Sequence, residues 1–463
     1  MTADLDVDVV VVGGGVVGCA VARELSGHHL SVALIEARGD VGDATSKANT
    51  AILHTGFDAV PGSLESRLVR RGYELLSEYA PRAVIPVEPV GALLVAWDDE
   101  QLQALPKLRA KARDNGYERT EIVDAAEVYR RVPALGPGAL GGLAVPDESI
   151  ICSWTSTLAY ATEAVRRGAR LLLRHRVTGI EVGSERTTVT TDRGVVTTRW
   201  LVNAAGMGAD HLDRQLGHDR FTVVPRRGEL IVFDKLARPL APCIVLPVPS
   251  SRGKGVLVSP TVYGNVMLGP TAEDLQDRED TATSDAGLAG LLDKGRALMP
   301  ALVEEDVTAT YAGLRAATEH SDYVVDVDPA QRYVLLGGIR STGLTASMAL
   351  AEHVVELMTS AGEHLAVRSD LPPAPRMPNI GEAFPRPYAD AELIAQDPDY
   401  GRVVCFCERV TRGELRDALA STVPPSDLDG LRRRTRALMG RCQGFYCGAE
   451  VGRILEDHVR GTP

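Results

Sequence analysis

Four cysteines near the C-terminal end of this chain fall into two close pairs, Cys405 and Cys407 in VVCFCERV and Cys442 and Cys447 in GRCQGFYCG. Thiolates gathered in this way bind metal, but the pairs are spaced CxC and CxxxxC, where structural zinc sites usually carry CxxC-type pairs. The pattern therefore points to an iron–sulfur cluster in preference to zinc. At the other end, Gly13, Gly15 and Gly18 form a GxGxxG motif directly after the apolar run Val7–Val12, and Glu36 closes a second apolar run. Glycines there let backbone amides approach a pyrophosphate, the helix that begins among them adds unpaired N–H donors and a positive dipole end, and the acid suits ribose hydroxyls. Strand, turn, helix, strand and acid together make a dinucleotide site, without choosing between a nicotinamide and a flavin. A second match at Gly136, Gly138 and Gly141 has Pro137 inside it and no strand before it, and reads as chance. A dinucleotide at one end and a cluster at the other describe a machine for moving electrons.

Holding two such centres takes more than one hydrophobic core, and 463 residues are enough for two or three domains. The formal charge of −12 argues against a nucleic-acid surface, which needs basic patches. The start MTADLDVDVVVVGGG has acids where a secretory signal has bases, and its apolar run breaks into glycines short of a membrane span. The expectation is a cytoplasmic protein without a transmembrane segment, whose free thiols survive in a reducing compartment. Cys19, Cys152 and Cys243 stand apart and read as packing residues.

Several elements are legible. VGALLVAW reads as a strand, and DDEQLQALPKLRAKARDNG as an exposed helix closed by Gly116. From Arg227 to about Ala272, short strands spaced by turn residues, with a hairpin signal in TVYGNV, indicate an antiparallel sheet. RYVLLGGIRSTGLTASMALAEHVVELM gives a strand, a glycine loop and a long helix, and prolines crowd Leu371 to Pro387 as in a linker. The fold class is α/β: a Rossmann-like nucleotide domain with an inserted antiparallel-sheet (α+β) substrate domain, then a small helical iron–sulfur domain. The expected boundaries are 1–80, 140–215 and 310–365 for the nucleotide domain, 81–139 and 216–309 for the insert, 366–400 for the linker and 401–463 for the cluster domain.

DVVVVGGGVVGCAVARELS, NAAGMGAD and GGIRSTGLTAS resemble the amino-acid-oxidase-like flavoproteins over roughly residues 6–365, which makes FAD the dinucleotide. That resemblance puts Gly13, Gly15, Val17, Gly18, Glu36, Thr45, Ser46, Lys47, Val177, Ala205, Gly206, Gly338, Thr342, Gly343 and Leu344 against the cofactor. The stretch DATSKANTAILHTGFDAVPGS is similar to the flavin-facing segment of glycerol-3-phosphate oxidases and dehydrogenases, with L-2-hydroxyglutarate oxidases as near neighbours. His54 is then the base that takes the substrate hydroxyl proton, a role suited to imidazole because it titrates near neutrality. Arg315 and Lys254 match positions that bind the substrate anion, and Arg340 and Ser341 are further candidates for the same work. Family members commonly follow the arginine of YAGLR with proline; here Ala316 follows it.

The segment from Arg402 to Gly448 resembles the ferredoxin-like 2Fe-2S domain named after bacterioferritin-associated ferredoxin, with all four ligand positions intact. Arg432, Arg433, Arg434 and Arg436 are expected either to offset the cluster's negative charge or to form an exposed helix face. The functional expectation is an FAD-dependent dehydrogenase acting on a small anionic secondary alcohol, foremost sn-glycerol 3-phosphate. L-2-hydroxyglutarate or another 2-hydroxy or 2-amino acid is the alternative donor, and a non-catalytic electron-transfer subunit the alternative class. Electrons would leave through the cluster to a quinone, a partner flavoprotein or a ferredoxin, from a homo- or hetero-oligomer.

Overall fold

The structure, a computed structural model, describes residues 5–249 and 255–460. Two large sheets divide the chain. In the first, strand Leu5–Val12 lies between Val32–Ile35 and Gly194–Asn203, all parallel, with Arg170–Leu172 beyond one neighbour and Tyr333–Gly337 beside the other. Strands buried on both faces read as unbroken apolar runs, and Val9, Val10 and Val11 are wholly buried here. Helix Val16–Leu25 packs on this sheet, and helices Leu64–Ala83, Ser153–Arg166 and Gly343–Ser360 share its core. The strand, glycine loop and long helix expected near residue 340 are therefore present.

Among the described residues the second sheet has nine strands, and it contains the hairpin of Leu257–Pro260 with Val266–Gly269, turning at Gly264 as TVYGNV indicates. Its pairing is antiparallel except between Ile244–Pro247 and Ala92–Ala96, which run parallel because a long excursion separates them in sequence. Strands Gly141–Val145 and Val307–Ala317 also belong to it, so the sheet reaches across the borders expected near 140 and 310. A strand's own sequence does not name its partner; pairing with Ala92–Ala96 and Val224–Phe233 decides the matter. Helix Asp99–Asp114 is capped by Asp98 and ends before Gly116 at φ +77°, close to expectation.

A separate three-stranded sheet has Ile52–Leu53 and Val87–Glu88 on either side of Ser149–Ile151. The proline-rich stretch from 366 onward is a strap laid along the surface and fastened to it. Arg368 N–H donates to the Gly27 carbonyl, Met377 N–H to Ala83 and Glu382 N–H to Val262, and Met377, Ile380 and Arg386 are buried.

The C-terminal unit starts with strand Val403–Cys405 paired to Val410–Thr411, and adds helices Arg412–Leu419, Leu428–Thr435 and Gly448–Arg460 around Val410, Leu415, Leu431 and Val451. Thr411 and Glu414 form a capping box that fixes where the first of these helices begins. Arg433, Arg434 and Arg436 are buried, which overturns an exposed helix face for these three. They dock the unit. Arg434 and Arg433 reach Asp40, and Arg436 lies 4.3 Å from the Tyr263 ring centre and donates to Asn265. Arg441 to Asp234 and Lys235 to Glu408 extend the seam onto the second sheet.

Candidate functional site

The N-terminal motif folds as its residue types require. Gly13 has φ +108°, and a Cβ on Gly18 would stand 1.8 Å from the Gly13 carbonyl oxygen, so strand and helix meet this closely only with glycine. Gly15 caps helix Val16–Leu25 without a side chain, and the Val16 N–H donates to Ser46 Oγ at 2.9 Å. Ser46 thus lies over the helix N-terminus, where a pyrophosphate is favoured. Glu36 accepts the Gly14 and Arg38 N–H groups, one on each oxygen, at 2.7 Å. Burial pushes its carboxyl above the usual range against the pull of those amides, leaving a desolvated acid suited to ribose hydroxyls. The residues present fit a flavin dinucleotide.

The other residues assigned to the cofactor lie on the same sheet end or lead away from it. Val17 belongs to the same helix. Val177 and Ala205 pack on the core that holds Val12 and Ile35, and Gly206 opens a short 3-10 turn after strand Gly194–Asn203. Gly338 takes φ +66° in the loop before helix Gly343–Ser360, whose Thr342 cap residue donates to Glu65 and whose Leu344 packs inward. Thr45 and Lys47 flank Ser46 on the segment that runs toward His54. Thr45 Oγ1 donates to the Leu314 carbonyl, and Lys47 Nζ bonds Asp43 at 2.7 Å.

His54 follows strand Ile52–Leu53. Because Leu53 pairs with Ser149 across the small sheet, the preceding residue Glu148 comes opposite His54, and its Oε2 lies 3.1 Å from the imidazole Nδ1. Glu148 is buried, and its other oxygen accepts both the N–H and the hydroxyl of Thr55 at 2.7 and 2.8 Å. On the far side, the His54 N–H donates to Thr345 Oγ1 in the first turn of helix Gly343–Ser360. Sequence reading missed Glu148. The signal available was an acid set between the apolar runs GGLAV and SIIC.

Arg315 stands on strand Val307–Ala317, the strand that also holds the segment before His54. Leu314 accepts from Thr45, and Tyr311 OH donates to the Asn49 carbonyl at 2.9 Å. Among the described residues no carboxylate pairs with Arg315; Nη1 meets the Thr271 carbonyl only at 3.5 Å. Burial, then the charge of Arg226, pulls its pKa down, the mark of a cation that an anion would relieve. Arg340 instead donates to the carbonyls of His320 and Ser321, holding a turn, and Ser341 beside it is exposed. Lys254 lies outside the described residues.

At the opposite end the four cysteines come together two by two. Cys407 and Cys442 touch through their sulfurs, as do Cys405 and Cys447. Amide donors from Tyr446 first, with Gly444 and Phe445, pull the Cys442 thiol down, while burial and Cys405 push Cys447 up to about 12. Among the described residues no three such side chains surround a single-ion point. Two thiols per iron is what a two-iron cluster takes, so the donor set fits. Cys19 and Cys152 are buried and Cys243 nearly so, each with its thiol raised by burial, as packing cysteines should be. Phe406, Phe445 and Tyr446, on the ligand loops, are 71%, 85% and 76% exposed, so this rim faces solvent.

Residues 8–357 match the model of the FAD dependent oxidoreductase (DAO) family. The chain belongs to that family. Residues 403–457 of this flavoenzyme match a second model, the BFD-like [2Fe-2S] binding domain, so FAD and a 2Fe-2S cluster are its cofactors. The flavoenzyme is 34% identical over 454 residues to a glycerol 3-phosphate dehydrogenase of Caloramator mitchellensis, covering 97% of this chain and 93% of that one. It is 26% identical to one subunit of the anaerobic glycerol-3-phosphate dehydrogenase of Escherichia coli, over 97% of this chain and 88% of the relative. Among solved structures, the dithionite-reduced, FAD-bound L-alpha-glycerophosphate oxidase of Mycoplasma pneumoniae superposes with a TM-score of 0.77 at 28% identity, over 81% of this chain and all of that one. Among the described residues, no helix of the flavoenzyme is long and apolar enough to cross a membrane.

Proposed function

We propose that this oxidoreductase dehydrogenates sn-glycerol 3-phosphate to dihydroxyacetone phosphate and delivers the electrons through its cluster to an external acceptor. The observation that carries this is Arg315, a half-buried guanidinium without a carboxylate partner among the described residues, on the strand that buttresses the segment leading to His54. A forked cation so placed binds a phosphate dianion through charge-assisted hydrogen bonds. Lys254 is assigned to the same anion by sequence alone.

Glu148 can only accept from the imidazole, so Nδ1 carries the proton and Nε2 is the basic nitrogen that takes the substrate hydroxyl proton. As that proton arrives, the Glu148 carboxylate stabilises the imidazolium and Thr55 keeps the carboxylate from turning. FAD, when bound, supplies the acceptor for the hydride, and the cluster supplies one-electron carriage. Likeness to glycerol phosphate dehydrogenases that runs through the cluster domain supports this donor, as does a site that joins a cationic anchor to a base. The acceptor is a quinone, a partner flavoprotein or a ferredoxin, met at the solvent-facing rim of the cluster loops. We assign the enzyme to the cytoplasm, where thiolates remain available for iron.

Anaerobic titration of the cluster-loaded protein tests the assignment: sn-glycerol 3-phosphate is expected to bleach the flavin absorbance. Bleaching by L-2-hydroxyglutarate instead replaces the substrate. Bleaching by neither, nor by other 2-hydroxy or 2-amino acids, leaves only an electron carrier and overturns the catalytic reading.

A further inference from the structure

The turn 39–43 links two contacts of the flavin cradle, running from just after Glu36 to just before Ser46. From the catalytic side it is tied by the Gly42 N–H, which donates to the Gly14 carbonyl at 2.8 Å. From the opposite side it is held by the cluster domain. Ser426 Oγ donates to the Gly39 carbonyl at 2.8 Å, and Arg434 grips both oxygens of Asp40 at 2.6 and 2.8 Å. Arg433 spans the turn, with one nitrogen 2.9 Å from Asp40 and another 2.9 Å from Asp43, the acid that also binds Lys47. Asp40, Arg433 and Arg434 are all buried, so water cannot stand in for a lost partner.

We propose that the cluster domain is a structural part of the flavin site. By clamping Asp40 and Asp43 it holds the turn in the conformation that sets Glu36 at the Gly14 amide and Ser46 over the helix N-terminus. The inference rests on the FAD assignment of those residues. Two consequences follow by linkage: flavin affinity depends on a docked cluster domain, and bound flavin strengthens docking by the same factor. A chain whose cluster domain has not folded thus holds flavin weakly, so a flavin without an outlet for its electrons is rarely formed.

The test uses the full-length protein stripped of FAD and then titrated with it, the dissociation constant being read from flavin fluorescence. Asp40→Asn keeps the side chain's shape and removes its charge; the dissociation constant is expected to rise about tenfold or more, within the usual range of such couplings. Cluster content, read from acid-labile sulfide and the electron paramagnetic resonance of the reduced protein, is expected to stay at the wild-type level. Removing FAD from the wild type is expected to speed amide hydrogen exchange in 426–436, a segment that contains none of the four cluster cysteines. Should Asp40→Asn fail to fold, Arg433→Gln and Ser426→Ala weaken the same turn in smaller steps, with smaller losses of affinity. An unchanged dissociation constant in the variants that fold, or exchange in 426–436 indifferent to FAD, overturns the proposal. A wild-type chain that takes up no FAD at all overturns the flavin assignment itself.

Discussion

His54 and Glu148 are 94 residues apart in sequence and 3.1 Å apart in space. In the proposed mechanism the pair separates two kinds of contribution: one residue receives a proton, the other holds it in the right tautomer. Replacing His54 with Gln is expected to leave FAD bound and to slow its reduction by sn-glycerol 3-phosphate roughly 100-fold or more in anaerobic stopped flow. For Glu148→Gln the expectation is a slower reduction with substrate affinity little changed, and a shifted pH profile that a purely structural residue would not produce. Arg315→Gln should act in the opposite way, raising the substrate dissociation constant roughly 10- to 100-fold, from the ~1.5–3 kcal/mol of a charge-assisted hydrogen bond. The histidine and the arginine could be singled out as candidates because their flanking residues carry a family's signature. The glutamate was not, since its role depends on a register between two strands that neither strand encodes alone.

Elements set how precisely these residues are held. The strand, turn and helix from Leu5 to Leu25 were legible in full because every feature is local: an apolar run, three glycines at fixed spacing, and small residues where helix meets sheet. A Gly18→Ala chain would place its methyl carbon against the Gly13 carbonyl and push the helix from the strand. It is expected to purify without flavin absorbance while retaining the absorbance of the cluster. Sheet membership was less legible. Gly141–Val145 and Val307–Ala317 pair with strands from other parts of the sequence, so the borders expected near 140 and 310 fell inside the second sheet. The arginines of helix Leu428–Thr435 teach the same lesson in charge: a run of like residues looks solvated until the acids it meets are known, and Asp40 lies 394 residues before Arg434.

At the scale of the molecule, the two redox groups belong to units whose seam is ionic and aromatic and runs from the turn at Asp40 to the second sheet. Cys442→Ser is expected to abolish the cluster's visible absorbance, and to leave flavin reduction by substrate intact when FAD is supplied in excess. Loss of reduction even then would mean that the cluster domain shapes the substrate site as well. The strap from 366 onward bears on handling. Its exposed residues without helix or strand invite cleavage at the surface, but the two halves would remain joined by Asp40, Asp234 and Asn265. A clipped preparation would therefore travel as one species on a sizing column and betray its broken backbone only on a denaturing gel.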